Sequence, residues 1–334
     1  MVEKVDFLLH VVCMTYNQAS YIGDTMNGFC MQQTNFPFVC LIVDDASTDG
    51  ESDVIKKYLD DNFDRQDIGL LTPDETDEYV RIYARHKENK NCYFCVLLLK
   101  YNHYSIGKAK TYSVTDLLKS DKYIAMCEGD DYWIDPLKLQ KQVDFMENNP
   151  DFAICFHNVK VWKQKEGVMV DDFITKDVPS ETDIYDIIRG NYIHTPSILF
   201  RRNDIVSSDQ RRLGYSKIGD FPQWVLRAQY GKIKKLPDCM AVYRFGSGFW
   251  SADNRENKIL EALVVYKNFR IYFKNKKLLK IIRQIIFNLY GELSKIYYVQ
   301  KKYFKSFGYL IKSFVHIRTF IDFKTWVKNY LFRK

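Results

Sequence analysis

Residues 39–50 read VCLIVDDASTDG, a short apolar run that ends in two aspartates and a polar turn. Such a run, bounded by turn residues, is typical of a strand that is buried on both faces of a parallel sheet. Residues 123–131 have the same arrangement, YIAMCEGDD. Parallel strands end at the same edge of a sheet, where ligands bind in open α/β folds, so we expect the two acidic clusters to lie close together.

The segments around these strands alternate between short apolar runs and amphipathic stretches. Further strands are predicted over residues 7–14, 93–99 and 152–156, and helices over residues 19–32 and 52–61. This alternation predicts an α/β fold with a central, mostly parallel sheet. Residues 64–92 are polar and charged, and we interpret them as an insertion that contains a helix over residues 78–86.

The composition limits the classes to which the chain can belong. Hydrophobic residues make up 46% of its 334 residues, which is enough for a sizeable core and excludes a disordered protein. No run approaches the roughly 18 consecutive apolar residues of a membrane-spanning helix, and we expect no secretory signal. The eight cysteines are scattered, mostly inside apolar runs, as expected of buried, reduced thiols. Cys92 and Cys95 have CxxC spacing without a second pair, so we interpret them in the same way.

The charge is distributed unevenly along the chain. Residues 255–334 hold 19 lysines and arginines against 4 acidic residues, a net charge of +15, whereas the other 254 residues have a net charge of −8. Apolar residues recur at helical spacing in the basic region and predict two to four amphipathic helices, for example at Ile259, Leu263, Tyr266, Leu278 and Ile282. We therefore predict a main domain over residues 1–253 and a basic amphipathic helical tail over residues 254–334.

Three polar clusters follow predicted strands. They are Thr15-Tyr16-Asn17, the segment DDASTDG at residues 44–50, and the segment CEGDDYW at residues 127–133. In order and placement they resemble the inverting family 2 glycosyltransferases, over roughly residues 8–62 and 100–251. The resemblance extends to the bacterial branch that builds surface polysaccharides, where CEGDDYW-x-DP-x-KLQKQV-x-F is typical and stands here at residues 127–145. It implies a nucleotide-sugar-binding sandwich of GT-A type, with residues 1–253 as the catalytic domain.

The resemblance also implies a metal site. In the family, the acidic motif after the fourth strand holds a divalent cation and the ribose, so Asp131 would be a metal ligand and Asp130 a second ligand with ribose contact. The implied cofactor is Mg²⁺ or Mn²⁺, and the chemistry agrees, because these hard cations combine a few carboxylate oxygens with substrate phosphates. The alternative is a turn whose carboxylate caps a helix.

A second group of residues matches family positions that bind the nucleotide. Asp45 matches the aspartate that hydrogen-bonds the base, and Asp44 is its neighbour. Thr15 and Tyr16 match residues that touch the base, through hydroxyl or backbone contact and ring stacking, and Asn17 completes this nucleotide-sugar-binding cluster. The alternative is that the second cluster only forms a turn and caps the next helix.

Three further positions concern the diphosphate and the acceptor. Lys110 lies where the family often has a basic residue that faces the diphosphate. Asp220, in the segment GDFPQW at residues 219–224, matches the general base that family members place at the start of a late helix; many relatives have two consecutive acids there. Its alternative role is the N-cap of that helix. The segment at residues 243–251 lacks the histidine that usually follows its Tyr-Arg pair, so Arg244 or the backbone would take its place.

Together these residues predict a metal-dependent, inverting hexosyltransferase. It would move a sugar from a nucleoside diphosphate sugar, by resemblance a UDP-sugar, to a hydroxyl of a glycan or lipid-linked acceptor in polysaccharide biosynthesis. Two alternatives stay open. A sugar nucleotidyltransferase would carry a glycine-rich, basic loop after the first strand, which TYNQASYIG at residues 15–23 matches poorly. The second alternative is a membrane-associated scaffold without catalytic activity, which the missing histidine after the Tyr-Arg pair would explain.

The basic tail indicates an anionic partner. We expect it to contact a membrane surface through its lysines and its 18 aromatic residues, which predicts a cytoplasmic protein that is peripheral at the inner face of the cell membrane. No nucleic-acid-binding module accompanies the tail, so we predict no nucleic-acid partner, and a homodimer stays open. The alternative is that the apolar stripes of the tail pack on the protein and its lysines face water.

Overall fold

Twelve strands of the described chain form one sheet. The computed structural model describes residues 5–65, 74–107, 121–203, 213, 216–246 and 254–314. The strands are β1 (Leu9–Thr15), β2 (Phe38–Asp44), β3 (Phe63–Arg65), β4 (Tyr79–His86), β5 (Cys92–Leu99), β6 (Tyr123–Met126), β7 (Tyr132–Trp133), β8 (Phe152–Lys163), β9 (Val168–Asp171), β10 (Glu181–Thr182), β11 (Leu199–Arg201) and β12 (Lys232–Phe245).

The centre of the sheet is parallel. Its main path runs β10, β12, β8, β11, β6, β1, β2, β5, β4 and β3, with β7 paired to β12 and β9 to β8. Strand β1 pairs in parallel with both β2 and β6, β2 with β5, and β8 with β12. Antiparallel ladders join β11 to β6 and β8, and β4 to β5 and β3. The predicted α/β fold with a mostly parallel central sheet is confirmed.

Strands β2 and β5 are apolar throughout because both faces of the sheet are covered. Every residue of the two strands is buried. Alternate residues such as Cys40 and Ile42 pack with three helices, α1 (Ile22–Cys30), α2 (Glu51–Asn62) and α3 (Lys138–Asn148). The residues between them, such as Leu41, pack with Tyr93 on the opposite face. This arrangement explains why the two runs show no alternation between apolar and polar residues.

The helix predicted over residues 78–86 is wrong, because this segment forms strand β4. It pairs antiparallel with β5, so that Tyr79 lies opposite Leu99 and Arg85 opposite Tyr93. Its side chains alternate between two cores, with Tyr79 and Tyr83 on one face and Ile82 on the other. Aromatic and β-branched residues favour a strand. The alternation of buried side chains between the two faces decides the structure here, although the segment contains many polar residues. The predicted insertion at residues 64–92 thus contributes strand β4 to the sheet.

The chain divides into two compact units. The first comprises Met1–Glu181, Tyr192–Arg202 and Tyr230–Gly248, and the second comprises Thr182–Asn191, Asn203–Gln229 and Phe249–Lys334. The second unit therefore joins the C-terminal helices to two segments that precede residue 253. The helices described in the second unit are α4 (Ile184–Ile187), α5 (Asp220–Arg227), α6 (Arg255–Tyr272), α7 (Lys276–Val299) and α8 (Tyr303–Phe314).

The predicted C-terminal helices are confirmed, and two of them pack inside the second unit. The apolar stripes of α6 and α7 are buried, including Ile259, Leu263 and Ile282. The hydroxyl of Tyr266 donates to the Ile188 carbonyl at 3.0 Å, which ties α6 to the segment after α4. None of the helices described for this chain has the length and apolar character that are needed to span a bilayer.

Candidate active site

The carboxyl ends of β1, β2 and β6 bring the three polar clusters against each other. Thr15, the last residue of β1, pairs with Asp44, the last residue of β2. The Asp45 N–H donates to the Thr15 carbonyl at 3.1 Å, and the Gly129 N–H donates to the Met14 carbonyl at 3.1 Å. The end of β1 is therefore the middle of the candidate site, with the second cluster on one side and the third on the other.

Gly129 packs so closely against the first cluster that a side chain does not fit. A Cβ atom on Gly129 would lie 2.2 Å from Oγ1 of Thr15 and 2.5 Å from Oε1 of Gln18. Real Cβ atoms essentially never show such contacts, so one of these groups would have to move. This close approach is the reason that the acidic motif carries a glycine between Glu128 and Asp130.

Hydrogen bonds join the loop after β1 to the loop after β2. Asn17 has a φ of 54°, a left-handed conformation that asparagine tolerates better than most residues. Its N–H donates to Oγ of Ser47 at 2.8 Å, and its Oδ1 accepts from the Thr48 N–H at 2.8 Å. The neighbouring Tyr16 has a side chain that is 46% exposed, so one face of its ring is open for stacking.

The two aspartates of the second cluster both serve the local structure. Asp44 accepts from the Ser47 N–H at 2.9 Å and from a serine hydroxyl of α2, which closes the turn and fixes the start of that helix. Asp45 is buried and accepts the N–H groups of His103 at 2.7 Å and Tyr104 at 3.1 Å. Asp45 thereby attaches the loop after β5 to the site. The nucleotide contacts of both aspartates stay predictions.

Glu51, which no motif in the sequence marks, connects the first two clusters. It is the first residue of α2, after Gly50 with a φ of 90°, and it is buried. Its carboxylate accepts from the Thr15 hydroxyl, from the Gln18 N–H at 2.9 Å and from the Ser47 hydroxyl at 2.8 Å. Burial raises the pKa of Glu51, and these donors oppose that effect. Acidic residues are common in first helical turns, so nothing in the sequence pattern distinguishes this one.

The third cluster contains a buried carboxylate oxygen without a partner. Asp131 is 1% exposed; its Oδ1 accepts from the Arg244 N–H at 2.8 Å, and its Oδ2 has no hydrogen-bond partner among the described residues. Burial raises the pKa of Asp131 well above its usual range, and the neighbouring Asp130 carboxylate raises it further. A buried carboxylate is unfavourable without a compensating charge, so this position suits a cation.

A hard divalent cation fits these oxygens in part. Mg²⁺ binds through one or two carboxylates and keeps water or phosphate as its other ligands, which matches Asp131 and the adjacent, buried Asp130. In the ranges that the structure describes, no group of three or more histidine, cysteine, aspartate or glutamate side chains is placed to hold a metal. A cation at this position would therefore take most of its ligands from water and substrate.

Arg244 holds the acidic turn from strand β12. Besides the backbone bond to Asp131, its guanidinium donates to the Asp130 carbonyl at 2.7 Å and forms an ion pair with the Asp24 carboxylate. The guanidinium also lies over the Tyr132 ring, 4.5 Å from its centroid. Arg244 stands just before the position where this chain lacks the family's histidine, and both its side chain and its backbone contact the acidic turn.

Lys138, a second residue without a predicted role, is fully buried at the start of α3. Its Nζ donates to Oε1 of Gln142 at 2.7 Å and lies 4.1 Å from the ring centroid of Trp133, the last residue of the third cluster. Burial lowers the pKa of Lys138 to about 7. The motif at residues 127–145 therefore contains an amine whose charge changes near neutral pH.

The predicted base lies in the second unit. Asp220 is the first residue of α5 and follows Gly219, which occupies the N-cap position; Asp220 thus begins the helix rather than capping it. Its Oδ2 accepts from Nδ2 of Asn191 at 3.0 Å, which orients the carboxylate. The catalytic role of Asp220 stays a prediction. Lys110, the predicted diphosphate contact, lies outside the described residues.

Comparisons with known proteins identify the family of this chain. The profile of the family described as Glycosyl transferase family 2 matches residues 10–205. An uncharacterized protein of Mycobacterium tuberculosis is 31% identical over 243 residues, which are 72% of this chain and 60% of that protein. The chain thus spans about 60% of the length of this relative. A putative teichuronic acid biosynthesis glycosyltransferase of Bacillus subtilis, TuaG, is 23% identical over 268 residues, covering 80% of this chain and 90% of TuaG.

Solved structures show the same fold. Residues 1–349 of TarS from S. aureus, in complex with UDP-GlcNAc, superpose with a TM-score of 0.53 at 16% identity and cover 96% of this chain and 79% of that one. The mannosyltransferase PcManGT from Pyrobaculum calidifontis, in complex with GDP-Man and Mn²⁺, has a TM-score of 0.51 at 13% identity, covering 97% of this chain and 79% of that one. The similarity supports a fold of GT-A type.

Proposed function

Because this chain belongs to glycosyl transferase family 2, we propose that it transfers a sugar from a UDP-sugar to a hydroxyl of a glycan or lipid-linked acceptor, with inversion at the anomeric carbon. The observation that carries the proposal is the buried Asp131 carboxylate in the turn between β6 and β7, beside the loops after β1 and β2. The UDP-GlcNAc complex of TarS supports a UDP-sugar as donor. The similarity to TuaG supports a role in polysaccharide biosynthesis.

In this proposal the loops after β1 and β2 bind the nucleoside. Tyr16 stacks its exposed ring on the base, while Thr15 and Asp45 contact the polar edge of the base. Asn17 keeps the two loops at a fixed spacing through its bonds to the second loop. Because Asp45 also binds N–H groups of the loop after β5, donor binding and the position of that loop are coupled. Lys110 is the proposed contact to the diphosphate.

Asp131 and Asp130 are the proposed ligands of Mg²⁺ or Mn²⁺. Their carboxylates would hold the cation, which would supply positive charge to the departing diphosphate. The Arg244 N–H fixes one oxygen of Asp131, so the orientation of its other oxygen is set before the donor binds. The Mn²⁺ and GDP-Man complex of PcManGT, which has the same fold, supports a divalent cation as the cofactor.

Asp220 is the proposed general base. Transfer to a hydroxyl requires a group that accepts its proton while the oxygen attacks the anomeric carbon. The Asn191 amide orients the Asp220 carboxylate, which takes this proton. The acceptor oxygen attacks at the same time on the face opposite the leaving UDP, and the configuration of the sugar inverts.

A donor panel tests the proposal. The protein is incubated with UDP-glucose, UDP-galactose and their N-acetyl forms, each with Mn²⁺ or Mg²⁺, and the released nucleotide is identified. We expect UDP from one donor, at a rate that increases with a hydroxyl acceptor. A sugar nucleotidyltransferase would instead release pyrophosphate from UTP and a sugar phosphate. Binding of a donor without turnover under any condition would support the scaffold alternative.

A further inference from the structure

Helix α8 presents its apolar face outward. Phe304, Phe307 and Ile311 recur at helical spacing and are 97%, 62% and 49% exposed. On a straight helix these positions fall on one side, and we call them the α8 stripe. The apolar stripes of α6 and α7 are buried, so α8 differs from the two helices before it.

The opposite side of α8 packs on α7 through two serines and through Tyr309, whose ring centroid lies 5.3 Å from that of Tyr297. The hydroxyl of Ser306 donates to the Ser294 carbonyl at 2.8 Å, and the Ser313 hydroxyl donates to the Phe287 carbonyl at 3.2 Å. Both α8 serines are buried. A helix on the surface of a soluble protein usually buries its apolar side and exposes its polar side. In α8 the apolar stripe is exposed instead.

Positive charge predominates near the α8 stripe. Residues 293–314 contain five lysines and no acidic residue. Lys305 and Lys312 lie on α8 between the stripe and the side that packs on α7, and their ammonium groups approach the rings of Tyr297 and Tyr309 at 5.3 and 4.8 Å. Lysines at the edge of an apolar surface can extend to anionic headgroups while aromatic rings enter the acyl boundary.

We infer that the α8 stripe is a membrane-binding surface that recognises anionic lipid. The outward aromatic stripe supplies the apolar contact, and the lysines supply charge complementarity to the headgroups. A second protein chain would also cover an apolar face, but the five lysines of residues 293–314 favour an anionic surface. This inference is independent of the proposed sugar transfer, because it concerns α8 alone.

Vesicle flotation of the full-length protein tests the inference. Vesicles of phosphatidylcholine mixed with phosphatidylglycerol are compared with vesicles of phosphatidylcholine alone. We expect the protein to float with the anionic vesicles and to be released by salt. The double variant Phe304→Ser/Phe307→Ser should bind the anionic vesicles more weakly, by a factor of about ten or more. Replacing these exposed residues leaves the contacts of α8 with α7 intact, and thermal unfolding checks this.

The matched control is Ile271→Ser, which removes a side chain of α6 that is 70% exposed in the same unit. This variant should float like the unmodified protein. Equal flotation of the double variant and the unmodified protein would overturn the inference. A second result would also overturn it: the unmodified protein does not float, and light scattering shows a dimer that dissociates in the double variant. A second copy of the chain would then cover the stripe.

Discussion

Asp131 combines full burial with one carboxylate oxygen that no described group satisfies. We predict that Asp131→Asn weakens Mn²⁺-dependent binding of UDP by about tenfold or more, since the amide cannot ligate a hard cation as a carboxylate does. Because burial raises the pKa of Asp131, a neutral amide that still accepts the Arg244 N–H should leave the fold intact. Calorimetric titration with UDP, with and without Mn²⁺, measures the effect.

The control for Asp131→Asn is Asp53→Asn, which neutralises an exposed carboxylate on α2. It should leave UDP binding unchanged. If Asp131→Asn binds UDP with unchanged affinity in the presence of Mn²⁺, the metal assignment is wrong.

A second prediction at the residue scale concerns Asp220. The variant Asp220→Asn should lower the rate of sugar transfer by about a hundredfold or more, since general-base catalysis typically contributes a factor of that size. Its affinity for UDP should stay within about twofold, because the proposed role of a base concerns the acceptor. Turnover assays and calorimetry separate the two effects. Near-normal turnover would show that another group takes the proton.

Helix α3 carries a prediction about pH. Lys138 in the folded protein loses its proton near pH 7, whereas the ordinary pKa of lysine is 10.5. Between these values the unfolded chain binds more protons than the folded one, so this residue makes stability rise with pH, by up to about 1.4 kcal/mol per pH unit. Below pH 7 both states are protonated and the contribution is constant.

The variant Lys138→Met isolates this contribution. Urea unfolding of both proteins at pH 7 and pH 9 gives their free energies of unfolding. We expect the difference between them to shift in favour of the unmodified protein as the pH rises. A difference that does not change with pH would mean that Lys138 keeps its proton in the folded state, through its contacts with Gln142 and the Trp133 ring.

The elements that could be predicted from sequence are those whose pattern is local. Strands β2 and β5 are continuous apolar runs, which identify them directly. Strand β4 could not be recognised, because Arg81 and Arg85 interrupt its apolar residues and its two faces contribute to different cores. The role of Glu51 could not be recognised from the sequence for a related reason. Its partner Thr15 lies 36 positions away, and only the parallel pairing of β1 with β2 brings them together.

At the scale of the whole molecule, the spacing of apolar residues could not predict how the C-terminal helices are oriented. An amphipathic pattern shows that a helix has an apolar side but does not show which way that side faces. The apolar stripes of α6 and α7 face inward, which agrees with the alternative that the tail packs on the protein. In contrast, α8 exposes Phe304 and Phe307 to solvent. The peripheral position at the inner membrane face stays a proposal, which now rests on α8 alone.

The contacts within the second unit predict the effect of removing the tail. Phe221 of α5 lies 5.9 Å from the ring of Tyr266 and 5.9 Å from that of Phe269. A chain that ends at residue 253 loses these partners, and burying an aromatic side chain contributes about 1.5–3 kcal/mol. We expect amide hydrogen exchange at residues 220–227 to become faster and sugar transfer to be lost, while UDP binding persists.

The control for this truncation is a chain that ends at residue 302. It lacks α8 but still contains α6. This chain should retain slow exchange at residues 220–227. Full protection of these amides in the chain that ends at residue 253 would support residues 1–253 as an independent catalytic domain.

A library of all single substitutions would distinguish two kinds of glycine in this chain. At Gly129 the restriction is volume, because any Cβ meets the Thr15 and Gln18 side chains, so even alanine should be depleted under selection for activity. At Gly50 the restriction is the backbone φ of 90°, and there is open space around the residue. Asparagine and aspartate, which tolerate that region best, should therefore survive there. The two tolerance profiles would report steric and conformational constraint separately, within one candidate site.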